Sequence, residues 1–346
     1  MPIRDPVREP SAWMRAELER DRSWEIHVTP AQAAEISAAV ARVAARGLRG
    51  AEFTREDFPL PGFAPVLAEA LDALEHGRGV VLFRGLPVHG EDEEGAARVA
   101  WGLGLHLGRP LRQNPRVNLA GYRDGMIGHI TDQGIDYNAP NAIGSGTSAE
   151  QMPHVDGSDL VGLLCVRPAE DGGGVSRIVS SMAIWNALLE QAPDVIPTLE
   201  AGFLHDLRGA ERDGAGPLTP FRIPVYSRVG DVLSCNFNSK TVEQAARKRG
   251  EALTPAERRA LDAVLSIALD PAYQLEMTLR TGDFQVLNNY TVLHSRTAWR
   301  DPPEPARKRL MLRLWLKSFE TRPLAENFAG GYVSGASYDV AGAQVR

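Results

Sequence analysis

Short apolar runs of four to eight residues recur along the chain between Val80 and Leu316. They are rich in β-branched and aromatic residues, as buried strands are, and glycine-containing turns precede two of them, at Gly230 and Gly282. Helical patterns rarely alternate with these runs, which argues against a parallel α/β sheet. The pattern predicts a mainly β fold with helical additions, arranged as a jelly-roll sandwich. The predicted strands cover 80–83, 160–166, 176–180, 221–226, 232–237, 273–280, 284–287 and 310–316.

Helical signals are concentrated in the N-terminal third. A capping box with proline at the first helical position opens a predicted helix at 29–46, and a second helix follows at 64–76. Four acidic residues, placed favourably for the helix dipole, open a third at 91–107. Another capping box predicts a helix at 254–269. The first 25 residues are polar, and we expect them to be loosely held.

Length and composition favour one folded unit. A chain of 346 residues with 43% hydrophobic content can bury a large core, and no linker or repeat divides it. We predict a single domain over 1–346, with a helical part at 1–78, a jelly-roll core at 79–320 and a C-terminal tail at 321–346. The stretch at about 111–152 is rich in Gly, Asn, Asp and Pro. Because long irregular stretches are usually functional or disordered, we predict a lid there, with a plain surface loop as the alternative.

Charge and hydropathy exclude several classes of protein. The net charge of −6 and the pI near 5.8 argue against a nucleic-acid partner, and the basic runs at 247–249 and 307–309 are too short to change that. We expect the first run to be the solvated end of a helix. No membrane helix or signal peptide is recognisable, so a cytoplasmic location is expected. Cys165 and Cys235 lie in apolar runs and are expected to be buried and reduced. The oligomeric state stays open.

A candidate metal site lies at His154-Val155-Asp156, directly after the predicted lid. A histidine and a carboxylate two residues apart on an extended chain point to the same side. A second histidine from a distant strand, for which His294 is the candidate, would complete a facial triad with open positions on iron. A hydrogen-bonded histidine is the alternative for His294. The motif alone is weak, since about one such pair is expected by chance, and a second pair, His89-Gly90-Glu91, is explained by the helix start that follows it.

Two arginines lie on the otherwise apolar strand at 309–316. A period of two places Arg309 and Arg313 on one face, about 13 Å apart along the chain, so they enter one cavity at different depths. A buried arginine without an anion costs several kcal/mol, so each needs an internal carboxylate or a bound acid. Two arginines beside a candidate metal site favour a small dicarboxylate. Ser176, just after the glycine run at 172–174, is placed to add a hydroxyl.

Taken together, the motifs resemble the taurine dioxygenase (TauD/TfdA) family of Fe(II)/2-oxoglutarate-dependent dioxygenases, in the clavaminate synthase-like group. The resemblance covers about 80–317 and follows the family's order: His154-Val155-Asp156, then Gly173-Gly174-Val175-Ser176, then His294, then the strand at 309–313. No single motif is specific. Their order and spacing are.

The resemblance implies a distorted double-stranded β-helix that uses Fe(II), 2-oxoglutarate and O₂. It implies that Arg309 and Ser176 hold the distal carboxylate of 2-oxoglutarate. Arg313 would lie nearer the metal and contact either the cosubstrate or an anionic group of the substrate. The implied iron ligands are His154, Asp156 and His294.

The expected activity is hydroxylation of a small, acidic or amino-acid-like substrate with release of succinate and CO₂. Related halogenases have a small residue where this chain has Asp156, so an oxidation is favoured over halogenation. A desaturase or cyclase with the same cofactors is equally compatible with these ligands. A non-catalytic jelly-roll binding protein is the alternative from another class. A zinc hydrolase is disfavoured, because the arginine pair would then lack a purpose.

Overall fold

The computed structural model describes residues 4–113, 125–139, 142–208 and 216–328. The α-helices in these ranges are α1 (Arg15–Arg20), α2 (Pro30–Ala45), α3 (Ala64–Glu75), α4 (Glu93–Leu107), α5 (Ser181–Gln191), α6 (Ile196–Ala201), α7 (Ser239–Arg249) and α8 (Pro255–Ala268). The strands are β1 (Glu25–His27), β2 (Val80–Arg84), β3 (Arg109–Leu111), β4 (Gly128–Ile130), β5 (Gln151–His154), β6 (Leu160–Arg167), β7 (Ser176–Ser180), β8 (Tyr226–Val229), β9 (Val232–Cys235), β10 (Leu275–Met277), β11 (Phe284–Asn288), β12 (Val292–Arg296) and β13 (Leu310–Lys317).

Two sheets pack face to face. The larger has seven strands in the order β1-β2-β11-β6-β13-β3, with β4 also paired to β13. The smaller has four strands in the order β10-β7-β12-β5. Their shared core includes Ile178 and Val292 from the smaller sheet and Val161, Leu287 and Met311 from the larger. This arrangement confirms the predicted mainly β fold, a jelly roll of the distorted double-stranded β-helix type.

Helices cover the outer face of each sheet. α3 and α4 pack on the larger sheet, and α2 packs on α4. α4 is buried on nearly all sides, and its Trp101 is fully buried. A Cβ at Gly104 would lie 2.5 Å from Leu314 Cδ1, so glycine lets α4 pack closely on β13. Helix α5 packs on the smaller sheet, where its Trp185 joins a second apolar cluster with Leu293, and α8 packs on α5.

The predicted helices with capping boxes are confirmed at α2 and α8, and those at 64–76 and 91–107 are confirmed as α3 and α4. The basic run at 247–249 forms the last turn of α7, as predicted. Cys165 and Cys235 are buried free thiols. No helix in the described ranges is both long and apolar enough to cross a bilayer.

The expectation that the first 25 residues are loosely held is wrong for the described part of them. Trp13, Leu18 and Trp24 are buried, and Trp13 Nε1 donates to Arg78 O at 2.8 Å. Three large apolar side chains in a short polar stretch are enough to attach it to the core. β1 then adds a parallel strand beside β2.

The strand predicted at 221–226 is also corrected, because β8 begins only at Tyr226. The preceding residues contribute a single bridge, between Ile223 and Phe203. Pro220 and Pro224 lack the backbone N–H groups that a ladder needs, which explains the short pairing.

The predicted lid at 111–152 is only partly a loop. Residues 114–124, 140 and 141 of it lie outside the described ranges. Within the described part, 128–130 form β4, which pairs with β13, and β5 begins at Gln151. A three-residue strand is too short to give a recognisable hydrophobic period, so the sequence did not predict it.

Candidate active site

His154, Asp156 and His294 converge at the end of the smaller sheet. His154 is the last residue of β5 and pairs in register with His294 of β12, so the two side chains lie on the same face. Asp156 follows two residues after His154. The candidate ligand atoms of the three residues all lie within 4.8 Å of one another, and Asp156 Oδ2 is 3.9 Å from His294 Nε2.

Hydrogen bonds around the triad suit a metal ion. His154 Nδ1–H donates to Met152 O at 2.8 Å, which leaves the Nε2 lone pair for a metal. Asp156 accepts hydrogen bonds from Arg313 Nη1 at 3.0 Å and from Trp315 Nε1 at 3.1 Å, which fix its carboxylate. Two imidazoles and one carboxylate that leave coordination positions open are the donor set of non-haem iron oxygenases, so the residues present fit Fe(II).

The triad has the protonation state that metal binding requires. Burial, followed by the charge of His154, lowers the pKa of His294 to about 3, and burial also lowers the pKa of His154. Burial raises the pKa of Asp156, but the positive charge of Arg313, the interaction with the two histidines and the hydrogen bond from Trp315 outweigh it and hold that pKa well below its usual range. Near neutral pH the site therefore presents two neutral imidazoles and a carboxylate.

Arg309 reaches the same cavity, and no acidic side chain in the described part of the chain forms an ion pair with it. The residue is 5% exposed, and its Nη1 has no hydrogen-bond partner among the described residues. Its Nη2 donates a long bond of 3.4 Å to Gly174 O. A Cβ at Gly174, which has φ +66°, would lie 2.5 Å from Arg309 Nε, so glycine makes room for the guanidinium. Ser176 lines the cavity too, and its hydroxyl lies 3.2 Å from Gln285 Oε1.

Arg313 already has an internal carboxylate as its partner. Besides its ion pair with Asp156, its Nε donates to Gln113 Oε1 at 2.8 Å, and Gln113 Nε2 donates to Arg313 O at 2.7 Å. Its guanidinium also stacks on Trp315 at 4.7 Å from the ring centroid. Of the two partners that the sequence left open, the internal acid is therefore the one observed for Arg313, whereas no acidic side chain of the described ranges pairs with Arg309.

The family described as "Taurine catabolism dioxygenase TauD, TfdA family" matches residues 44–315. The chain belongs to the TauD/TfdA family. Among curated relatives of this TauD/TfdA dioxygenase, FR-33289 synthase of Streptomyces rubellomurinus is 30% identical over 322 residues, which is 91% of each chain. The taurine hydroxylase-like protein SAT17 of Stachybotrys chartarum is 27% identical over 320 residues, covering 89% of this chain and 79% of the relative.

Solved structures of oxygenases share the fold of this TauD/TfdA dioxygenase. Asparagine oxygenase, solved with Fe(II), 2S,3S-3-hydroxyasparagine and succinate, superposes with a TM-score of 0.65 at 15% identity, over 85% of this chain and 93% of its own. The non-haem iron oxygenase OrfP, solved with Fe and α-ketoglutaric acid, gives a TM-score of 0.58 at 16% identity, over 85% and 93% of the two chains.

The triad and both arginines of this TauD/TfdA dioxygenase line one cavity of about 1160 Å³, counting its open mouth. Several other polar residues of the cavity wall were not predicted as site residues, because they belong to no motif. Tyr137 lies in the predicted lid, which was the one available signal. The other missed residues are Arg208, Asn238, Lys240 and Arg296.

Trp299 lies between two guanidinium groups of the cavity wall. Its ring centroid is 4.1 Å from Arg296 Cζ and 4.6 Å from Arg309 Cζ. The indole N–H donates to Asp301 Oδ2 at 2.9 Å, and Asp301 Oδ1 accepts from Arg309 N at 2.8 Å. One residue thus supports Arg309 both through its ring face and through Asp301.

Replacing this ring is expected to loosen Arg309. In the binding mode that the family resemblance implies, Arg309 holds 2-oxoglutarate. Because a partly desolvated cation–π contact contributes about 0.5–2 kcal/mol, Trp299→Leu should then weaken 2-oxoglutarate binding about tenfold. Trp299→Phe retains an aromatic ring face, so its affinity for 2-oxoglutarate should fall less. Calorimetric titration of 2-oxoglutarate into the two variants checks this, and equal affinities for both variants and the wild type would show that Trp299 does not position Arg309.

His205 lies beneath this cavity wall and gives the fold a pH dependence. It is 1% exposed, its Nδ1 is 2.7 Å from Thr241 Oγ1, and burial, followed by the charge of Arg208, lowers its pKa to about 4. As pH falls below the ordinary histidine pKa of about 6.5, the unfolded chain takes up a proton that the folded chain does not. The free energy of unfolding therefore falls until the pH reaches the folded pKa.

For His205 alone this loss amounts to about 3 kcal/mol. We expect His205→Gln to flatten the decline in unfolding free energy between about pH 7 and about pH 4. Other buried histidines titrate in the same range, so the slope should decrease but not vanish. Urea denaturation at several pH values measures it, and parallel curves for variant and wild type would contradict the assignment.

Proposed function

We propose that the chain is an Fe(II)/2-oxoglutarate-dependent oxygenase that hydroxylates a small molecule. The observation that carries the proposal is one cavity that combines the triad with Arg309, a buried cation without a side-chain anion among the described residues. A buried arginine without an ion-pair partner is stabilised by a bound acid, and two histidines with one carboxylate are a donor set that suits Fe(II). Membership of a dioxygenase family supports the same conclusion.

In this proposal, His154, Asp156 and His294 hold the iron, while Arg309 binds the distal carboxylate of 2-oxoglutarate through a paired hydrogen bond. The Ser176 hydroxyl adds a further donor. Iron held there would supply the redox chemistry by which O₂ and 2-oxoglutarate yield succinate and CO₂, with the second oxygen atom passing to a C–H bond of the substrate.

The remaining side chains position these groups and exclude water. Arg313 and Trp315 keep the Asp156 carboxylate ionised and oriented through their hydrogen bonds. Apolar side chains from both sheets line the cavity between its polar groups, and they limit access of bulk water to the reacting atoms. Ile130, Leu163 and Met311 come from the larger sheet, and Leu279 follows β10 of the smaller one.

The substrate class proposed is an amino acid or a similar small acid. Two structural neighbours were solved with hydroxylated amino acids, 3-hydroxyasparagine and (3S)-hydroxy-L-arginine. A screen of amino acids and small carboxylic acids for stimulated O₂ uptake and succinate release tests the class. Mass spectrometry of the product then separates hydroxylation, which adds an oxygen atom, from desaturation or ring closure, which removes hydrogen.

The decisive test is dependence on the triad. Purified wild-type protein with Fe(II) and O₂ should convert 2-oxoglutarate to succinate, and His154→Ala should not. His106→Ala is a matched control, because His106 is a buried histidine that binds Phe58 O at 2.9 Å on α4, away from the cavity. Succinate formation that persists in the iron-loaded His154→Ala protein would refute the assignment.

A further inference from the structure

The described residues that line the cavity carry a large excess of positive charge. Asp156 is the only carboxylate among them, whereas the cationic side chains are Arg208, Lys240, Arg296, Arg309 and Arg313. Fe(II) and the 2-oxoglutarate dianion would together leave this excess unchanged. The cavity therefore retains positive charge that neither the metal nor the cosubstrate neutralises.

Three of the cations have partners or a proposed one. Arg313 pairs with Asp156 at 3.0 Å. Arg296 Nη2 donates to the main-chain oxygens of Thr147 and, at 3.0 Å, of Gly144. Arg309 is the proposed site for 2-oxoglutarate. Arg208 and Lys240 are the two remaining cations of the cavity wall.

Arg208 has no carboxylate in ion-pair contact among the described residues, although Asp156 and Asp206 act on its charge from a longer distance. Its backbone N donates to Asp206 Oδ1 at 2.8 Å, but its side chain forms no ion pair within the described ranges. Its backbone φ is +52°, a left-handed conformation that non-glycine residues rarely adopt. Its charge acts on the pKa of His154, so the guanidinium lies within electrostatic reach of the metal ligands. Burial lowers the pKa of Arg208 itself.

Lys240 also lacks an ion-pair partner among the described residues, and its position in the helix is unfavourable. It is the second residue of α7, where the positive end of the helix dipole disfavours a cation. Its Nζ donates to Tyr137 O at 3.0 Å and lies 3.1 Å from the Tyr137 ring centroid, without a carboxylate in ion-pair contact among the described residues. Burial, followed by the charge of Arg208, lowers the pKa of Lys240 to about 8, so the two cations repel each other.

We propose that Arg208 and Lys240 form the binding site for an anionic group of the primary substrate, a carboxylate or a phosphoryl group. The proposal rests on the proposed function, because it takes iron and 2-oxoglutarate to occupy the rest of the cavity. A bound anion supplies the partner that each cation lacks, interacts favourably with the start of α7, and removes the repulsion between Arg208 and Lys240. Substrate and cosubstrate then bind to separate arginines, which keeps one acid from displacing the other.

The test measures binding of simple anions to protein loaded with Fe(II) and 2-oxoglutarate under argon. Calorimetry with methylphosphonate, propionate and uncharged propionamide compares a phosphoryl group, a carboxylate and a neutral analogue. We expect at least one anion to bind about tenfold more tightly than propionamide. Tighter binding of methylphosphonate indicates a phosphoryl substrate, and tighter binding of propionate indicates a carboxylate.

Arg208→Gln and Lys240→Gln should each weaken binding of the preferred anion about tenfold while 2-oxoglutarate affinity stays at the wild-type value, which also shows that the variants are folded. Arg222→Gln is the control, since Arg222 lies on the same connection as Arg208 but pairs with Glu257 at 2.6 Å. The two test residues lie on different elements, so one misfolded variant leaves the other informative.

Equal binding of propionamide and the anions, or wild-type anion affinity in both variants, would overturn the proposal. Loss of 2-oxoglutarate affinity in both variants would assign the pair to the cosubstrate and overturn it as well. Failure of the proposed function looks different: anions bind and depend on Arg208 and Lys240, but the wild-type protein forms no succinate.

Discussion

Asp156→Ala is expected to reduce 2-oxoglutarate-dependent succinate formation at least about a thousandfold, because losing an anionic ligand removes several kcal/mol of metal-derived stabilisation. Iron affinity should fall in parallel, as measured by calorimetric titration under argon. The matched control is Glu150→Ala, since Glu150 is an exposed carboxylate that pairs with Arg177 at 2.7 Å, just before β5. Near-wild-type turnover in Asp156→Ala would remove this residue from the proposed ligand set.

The same substitution should also destabilise the metal-free protein. Asp156 and Arg313 are both about nine-tenths buried, at 10% and 9% side-chain exposure, and form an ion pair of 3.0 Å. Removing one partner of a buried pair leaves an uncompensated charge and costs about 3–5 kcal/mol of unfolding free energy. Asp156→Ala combined with Arg313→Met should recover much of that loss in urea denaturation. If the single variant is as stable as the wild type, the pair contributes little to folding.

Arg309→Gln should raise the KM for 2-oxoglutarate about a hundredfold, since truncating one side of a buried, hydrogen-bonded charge pair costs 2–5 kcal/mol or more. Turnover at saturating 2-oxoglutarate should change far less, because in the proposed binding mode the side chain holds the end of the cosubstrate remote from the metal. Arg309→Lys retains the charge but cannot form the paired hydrogen bond, so its KM for 2-oxoglutarate should lie between those of the wild type and Arg309→Gln. Steady-state kinetics over a range of 2-oxoglutarate concentrations measures the effects on KM and on turnover separately.

The control for this variant is Arg307→Gln, two residues earlier in the chain. Arg307 is exposed and pairs with Glu170 at 2.6 Å, so its loss should leave the KM unchanged. Without 2-oxoglutarate, Arg309→Gln should be at least as stable as the wild type, because it removes a buried charge that forms no ion pair with any described residue. An unchanged KM in Arg309→Gln would place the cosubstrate elsewhere.

The parts of the fold that the sequence predicted well have strong local signals. α2 and α8 begin at capping boxes, β6 is a nearly continuous apolar run, and β13 is apolar except for Arg313 and Lys317; both strands are buried on both faces. β12 was not predicted, because polar and charged residues follow its first two apolar ones, as the sequence VLHSR shows. Its burial comes from neighbouring strands on both sides, which no local pattern reports.

The candidate site shows the same limit. Spacing and motif order singled out His154, Asp156 and His294, and the structure brings them together. Sequence could not tell that Arg313 pairs with Asp156, since that contact depends on how β13 lies across the cavity. Arg208 and Lys240 were missed because they belong to no motif, and the left-handed backbone of Arg208 is invisible in a sequence of residue types.

The register between β5 and β12 couples correct strand pairing to formation of the metal site. His154 faces His294 directly, although the two residues are distant in the chain, and a shift of one residue in this pairing would turn one imidazole to the opposite face. Only the native register would then offer both imidazoles to one ion. A metal bound there would stabilise the native register by mass action but would not stabilise registers shifted by one residue. The metal concentration during expression should therefore affect the yield of correctly paired protein.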